Sequence, residues 1–319
     1  DTAIPNGFKN ITTLNASTSG TADHLTGLNE ISQWDIDTLP GTGGTNTYTA
    51  GGRTLNFANY ERLTGGTAAD TFTLTGTQAH TILAGADDDT LAFNDNAVLT
   101  GTFDGQSDHD TIYMLAYTSA RQALLTGLGS TDGFTGSING ITGGFVNVDG
   151  LVGSSTADDL ITGRHADAFW SIDGTNQYTA IVDLTLTGTE TDYDAKKAIV
   201  QSRTALLTNG SPVVLDFAGF ETLQGGNQND IFEFGGAQTH SVLGGDDEDY
   251  FIFNAGASLT GTIDGQAGRD TLDYNAGSGG AYATSVALAL TGLGTTNGFA
   301  GTASNITGSF DNIGEIVGG

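Results

Sequence analysis

Asp87-Asp88-Asp89 and Asp246-Asp247-Glu248-Asp249 are the densest runs of carboxylate in the chain, and they stand at matching places. Crowded carboxylates suit a hard cation, which takes several oxygen ligands. The same runs also read as ordinary solvated turns. Around them six aspartates keep a fixed beat. Asp70, Asp89 and Asp110 are 19 and 21 residues apart, and Asp230, Asp249 and Asp270 repeat those intervals. Each leads a short run of alternating apolar residues, where an Asp side chain can cap a tight turn by accepting a backbone N–H. His80 and His240 are equivalent too. No second His stands at ligand spacing, so both read as packing or hydrogen-bonding residues.

The elements that carry these residues must be strands. The 319 residues include 49 Gly, three Pro and no Cys, with 30 Asp but only seven Glu. Asp favours turns, and the straight-chain helix formers are scarce. A helical bundle is excluded and an α/β enzyme disfavoured. A formal net charge of −28 makes nucleic acid and anionic membranes poor partners. No apolar run is long enough to insert in a membrane. The chain starts Asp1-Thr2-Ala3-Ile4 and reads as a mature or excised piece.

A long internal repeat organises the sequence. Gly101-Thr102-Phe103-Asp104-Gly105-Gln106 aligns with Gly261-Thr262-Ile263-Asp264-Gly265-Gln266 at an offset of 160, and Leu125-Thr126-Gly127 with Leu290-Thr291-Gly292 at 165. We read residues 1–144 as a first unit and 145–309 as a second. Residues 310–319 start a third repeat phase. The second unit has an insertion at about 181–210, with helical spacing over Asp192–Leu207 and an N-cap at Asp192 or Asp194. Its Lys196, Lys197 and Arg203 are a third of all basic residues and a candidate partner-binding decoration, although an insertion in a repeat array normally forms a covering loop or helix.

A shorter motif, Phe-x-Asn/Gly-apolar-x-x-Leu/Ile, recurs at Phe8, Phe57, Phe145, Phe217 and Phe310. Short alternating strands, Gly-rich punctuation and a period near 20 describe coils that cannot close a core alone and must stack. The fold predicted is all-β: a parallel β-solenoid, of β-helix or β-roll type, built from two tandem copies. Parallel crossovers make it right-handed. Phe72, Leu91 and Ile112 are expected to form an inward ladder, with Phe232, Phe251 and Leu272 forming its counterpart. Asn10, Asn59 and Asn147 are expected at coil corners. Trp34 and Trp170 read as anchors of wider coils or covers for a loop, with carbohydrate stacking as the alternative.

Gly244-Gly245-Asp246-Asp247-Glu248-Asp249 and Gly265-Gln266-Ala267-Gly268-Arg269-Asp270 resemble degenerate calcium-binding nonapeptides of the RTX family. The whole unit is similar to the long repeats of giant secreted bacterial adhesins and surface-matrix proteins. The resemblance implies Ca²⁺ between adjacent turns, with Asp70, Asp89, Asp110, Asp230, Asp249 and Asp270 as candidate ligands and Asp87, Asp88, Asp246 and Asp247 beside them. It also implies secretion to the cell surface. The motif departs from the family in occurring once per coil and in its eroded glycines, as at Gly66-Thr67-Ala68-Ala69-Asp70.

The function expected is structural: an extracellular fibre, sheath or adhesin stalk with no catalytic residues. Its partners would be copies of itself end to end, further repeats of a longer chain, or surface polysaccharide. Phe8 and Phe310 stand in the same phase of the repeat, which fits a segment that extends without closing. The alternatives are a polysaccharide lyase or glycosidase on a β-helix and a carbohydrate-binding module. Such an enzyme needs a site built once, whereas the acidic constellations here are duplicated.

Overall fold

The computed structural model describes residues 9–18, 22–156, 158–181, 212–275 and 277–319. The helical stretch expected over Asp192–Leu207, and with it Lys196, Lys197 and Arg203, lies outside the described residues. The protein is all-β: 51% of it is strand, and among the described residues there is no helix. Most strand pairs are parallel. The chain packs as two compact units, one of residues 1–119 and 129–155, the other of residues 120–128 and 156–319.

In the first unit three parallel ladders run side by side. One joins Ser32–Ile36, Asp70–Leu74, Thr90–Phe93, Thr111–Tyr113 and Gly150–Val152. A second joins His24–Thr26, Arg62–Thr64, Thr81–Gly85, Phe103–Gln106 and the middle of Ile141–Val148. The third is short, joining Thr77–Gln78, Val98–Leu99 and Ile141. The second unit has the same three. Ala168–Ile172, Asp230–Phe234, Tyr250–Phe253, Asp270–Asp273 and Glu315–Val317 pair in order. Gln122–Leu128, Leu160–Thr162, Thr222–Gln224, Ser241–Gly245, Ile263–Gln266 and Phe310 do likewise. Ala237–Gln238, Ser258–Leu259 and Ile306 make the short ladder.

The alternation along each strand decides what faces in. Leu91 pairs with Phe72 on one side and Ile112 on the other, and all three are fully buried. Phe232, Phe251 and Leu272 stand in the same relation. Identical register puts like side chains on top of one another. Phe232 and Phe251 stack at 5.4 Å and 11°, and Phe234 and Phe253 at 4.7 Å and 22°. Leu63, Ile82 and Phe103 close the core from the second ladder. Each such side chain contributes ~1.5–3 kcal/mol when fully buried.

Not all of the chain winds in parallel. Asn46–Ala50 pairs antiparallel with both Ser32–Ile36 and Arg53–Ala58. Gly51 and Gly52 carry φ of +54° and +72° between them, the two left-handed positions a tight two-residue hairpin demands. Gln177–Ala180 pairs antiparallel with Ala168–Ile172 and Val214–Ala218. Phe134–Ile138 folds back on Ile141–Val148, and Leu288–Leu293, Phe299–Ala303 and Ile306–Val317 form a further antiparallel excursion. The expectation of parallel strands therefore holds for the ladders but not for these hairpins.

Candidate functional site

The six beat-keeping aspartates come together as two buried columns. Asp70, Asp89 and Asp110 are 2%, 1% and 0% exposed, and Asp230, Asp249 and Asp270 are all 0%, so whatever they do is done away from water. Each carboxylate reaches back to the preceding pass of the chain. The Asp70 N–H donates to Asp89 Oδ1 at 2.6 Å, and the Asp89 N–H to Asp110 Oδ1 at 2.9 Å. The Asp230 N–H donates to Asp249 Oδ1 at 2.8 Å, and the Asp249 N–H to Asp270 Oδ1 at 3.0 Å. The first carboxylate of each column also closes its own turn. Asp70 Oδ2 accepts the Gly66 N–H at 2.6 Å, and Asp230 Oδ2 the Gly226 N–H at 2.7 Å.

The other oxygen is the unusual one. Oδ2 of Asp89, Asp110, Asp249 and Asp270 is buried with no hydrogen-bond partner. A buried, unpaired carboxylate oxygen is costly when charged, so burial favours the protonated form of these groups. Burial pushes Asp89 and Asp270 up to about 7, Asp230 to about 8 and Asp110 to about 9, and it raises Asp70 and Asp249 as well. Backbone N–H donors oppose the shift. Neighbouring carboxylates add to it: Asp70 acts on Asp89, and Asp230 and Asp270 act on Asp249.

The columns explain the glycines. A Cβ on Gly105 would sit 2.4 Å from Asp110 Oδ2 and 2.0 Å from the Asn147 carbonyl oxygen. At Gly244 and Gly265 it would lie 2.3 Å from Asp249 Oδ2 and Asp270 Oδ2 respectively. A glycine five residues before the aspartate makes room for its carboxyl group. Ala84 is the natural exception, holding a Cβ at the place equivalent to Gly244. Gly105→Ala is therefore expected to cost ~1–3 kcal/mol through overpacking against backbone. Gly244→Ala should cost distinctly less, because the first unit already accommodates that methyl group. Urea midpoints of the two variants check this, and equal losses would refute the assignment.

The exposed acids form a different arrangement. Asp87 has φ of +75°, and its N–H donates to Asp108 Oδ2 at 3.0 Å, while the Asp108 N–H donates to Asp132 Oδ2 at 3.0 Å. Asp88 Oδ1 accepts the His109 N–H at 3.1 Å. Sequence reasoning missed Asp108 and Asp132 because their partners lie 21 and 24 residues away. In the second unit Asp246 and Asp247 are likewise exposed, but Gly268 stands where Asp108 does and the outer column is absent there. Among the described residues no three His, Cys, Asp or Glu converge on a space for a metal ion. A calcium ion at either buried column would meet one free carboxylate oxygen at each of Asp89, Asp110, Asp249 and Asp270, the other being held by a backbone N–H. It would meet none at Asp70 or Asp230, whose second oxygens accept from the Ser32 hydroxyl and the Trp170 indole N–H.

The recurring Asn is a backbone device. Asn10, Asn59, Asn147 and Asn312 have φ of 54° to 63°, and Gly219, the glycine form of the motif, has φ of 70°. Only Gly, Asn and Asp enter that left-handed region readily, which accounts for the Asn/Gly choice. The amide then ties the corner: Asn147 Oδ1 accepts the Thr131 N–H at 2.9 Å and its Nδ2 donates to Asp104 Oδ1 at 2.7 Å. Asn312 does the same with Thr296 at 2.7 Å and Asp264 at 2.6 Å.

Trp34 and Trp170 are fully buried and stack on Phe72 and Phe232 at 5.4 Å and 5.3 Å. They anchor the columns' first strands and offer no exposed face to a sugar. His80 is fully buried, and burial lowers it to about 4. The His240 ring instead lies 3.0 Å from the Phe220 carbonyl oxygen through Nδ1. No protein family, no curated protein and no solved structure matches the chain.

Proposed function

We propose that the chain is a right-handed parallel β-solenoid of two tandem copies, and that it serves as a secreted, cell-surface structural element: a fibre, sheath or adhesin stalk. The observation that carries this reading is the duplicated aspartate column. Its carboxyl groups have the shifted acidity common at active sites, yet they occur twice at equivalent register positions and bind the backbone of the neighbouring pass. A catalytic pair is built once and faces substrate. The groove of about 400 Å³ beside Gly225-Gly226-Asn227 has Asp246 as its single lining carboxylate, which suits neither a lyase nor a glycosidase.

Calcium enters this reading as a stabiliser at the unpaired Oδ2 atoms of Asp89, Asp110, Asp249 and Asp270, where ionised oxygens stacked about one strand spacing apart repel one another. Small-angle scattering of the chain is expected to report an elongated particle, and a globular one would overturn the solenoid. Calcium is expected to raise the melting temperature above about pH 8, with reversal by chelator, as for any ligand of the folded state alone. Melting unmoved by either would remove calcium and leave the scaffold standing. Cleavage of a polysaccharide by the purified chain would overturn the structural role itself.

A further inference from the structure

The strand Leu288–Leu293 is exposed along its whole length. Leu288, Leu290 and Leu293 are 42%, 60% and 79% exposed, while Ala123 and Leu125, the counterparts of the first two at the 165-residue offset, are 2% and 1% exposed. The cover on Gln122–Leu128 is visible. Leu160–Thr162 pairs with it in parallel, Gln122 to Leu160, Ala123 to Ile161 and Leu124 to Thr162. The Arg121 N–H donates to Asp159 Oδ1 at 2.6 Å and the Leu160 N–H to the Arg121 carbonyl at 2.9 Å. Leu288–Leu293 has Phe299–Ala303 on one edge, and among the described residues no strand pairs with its other edge.

The covering strand has a twin. His24-Leu25-Thr26-Gly27 matches Leu160-Ile161-Thr162-Gly163 at an offset of 136. The surroundings match as well. The Asp23 N–H donates to Glu61 Oε2 at 2.7 Å, as the Asp159 N–H does to Glu221 Oε2 at 2.8 Å. A Cβ on Gly27 would meet Trp34 at 2.9 Å, and one on Gly163 would meet Trp170 at 3.0 Å. Yet Ile161 is fully buried while Leu25 is half-buried. Leu25, Ile11 and Leu28 line an apolar cavity of about 480 Å³, with Leu28 56% exposed.

We propose that Leu288–Leu293 docks the His24–Thr26 strand of a second copy of this chain, pairing Ala287 with His24, Leu288 with Leu25 and Ala289 with Thr26. The proposal rests on the structural reading above and specifies its joint. Main-chain bonds of an added strand give the affinity and the apolar pair Leu288–Leu25 the register.

One segment stands in the way, and it is weakly held. Among the described residues Thr13–Asn15 pairs only with Asn56–Ala58, and Ile11 beside it is 38% exposed. Its motif, Asn10-Ile11-Leu14, is also that of Asn312-Ile313-Ile316, so in the joined frame both would claim one place. Ile306–Val317 is the stronger claimant. Ile306, Phe310 and Ile313 are 3%, 1% and 1% exposed, and Phe310 pairs on both edges, with Ile263 and Gly301. Thr13–Asn15 of the second copy therefore leaves, and Glu315–Val317 takes its place along Arg53–Ala58.

The test uses the 319-residue chain in sedimentation velocity and negative-stain microscopy. Concentration-dependent end-to-end species are expected. Leu290→Glu should abolish them with melting unchanged, since that side chain is exposed in the single chain. Removing residues 1–17 should increase association at equal concentration. The chain has no Cys, so a mixture of separate His24→Cys and Ala287→Cys variants should give a mixed disulfide dimer under mild oxidation, and neither variant alone should. Should the truncation fail to fold, the disulfide and Leu290→Glu still decide. Rods that form without the mixed disulfide and persist in Leu290→Glu would overturn this joint and leave the structural reading intact. An elongated monomer at every concentration would also overturn the joint alone, while a globular monomer would overturn both.

Discussion

In chelator-containing buffer, the melting temperature is expected to rise as pH falls from about 9 to about 5, the reverse of what paired surface carboxylates produce. The sign follows from the direction of the shifts. An unfolded aspartate titrates near ~3.9, and burial raises the folded values. The native state therefore binds more protons than the unfolded chain between the two values. The resulting stabilisation is complete below the unfolded value. It is lost as pH rises through about 7 for Asp89 and Asp270, about 8 for Asp230 and about 9 for Asp110. One pKa unit corresponds to ~1.4 kcal/mol, so even one such carboxyl group shifts stability measurably across this range. Asp110→Asn sharpens the test. Its amide oxygen keeps the Asp89 N–H and its uncharged nitrogen replaces Oδ2, so it should reduce the pH dependence, chiefly near about pH 9, and stabilise the protein there. Asp110→Ala should instead cost ~1–3 kcal/mol at every pH, because a buried N–H loses its acceptor. A melting temperature that climbs steadily from pH 5 to pH 9 without calcium would refute the protonated column.

Phe251→Ala should cost ~3–5 kcal/mol, the range for truncating a buried aromatic ring. Phe251 is fully buried, stacks on Phe232 at 5.4 Å and pairs in register with Leu272. The parallel ladders fix the strands on both sides, so the space cannot close around the missing ring. Trp170 stacks on Phe232 at 5.3 Å and so reports unfolding of this unit by its fluorescence. A cycle with Phe232→Ala is expected to show coupling of ~0.5–1.5 kcal/mol from the stack itself. A loss below about 1 kcal/mol for Phe251→Ala would mean that the column is not packed as described.

Much of this is legible in the sequence. The 19- and 21-residue beat marks equivalent positions of neighbouring strands, because in-register parallel pairing makes spacing in sequence equal to one pass of the chain. The alternation in Asp89-Thr90-Leu91-Ala92-Phe93 was enough to place Leu91 inside, and it is buried. The hairpins were less visible, although Gly51-Gly52 and Asn139-Gly140 carry hairpin chemistry. A period near 20 draws attention to what recurs, and these turns interrupt it. The partners of each carboxylate were out of reach. Turn capping was expected within a turn, as Asp70 does with Gly66, but the link from Asp89 to the Asp70 N–H spans 19 residues and exists only once two passes are stacked.

The direction of that link bears on how the protein is made. The buried amide of Asp70 is satisfied by Asp89, that of Asp89 by Asp110, and those of Asp230 and Asp249 by Asp249 and Asp270. In every case the acceptor lies closer to the C-terminus. A ribosome delivers the N-terminus first, so each newly emerged strand of the column carries an unmet amide until about twenty more residues follow. Those residues are always the next to appear. Completion is thus local in sequence, and the short separations favour rapid pairing over a search for distant partners. The column is in effect a seam sewn in the order of translation.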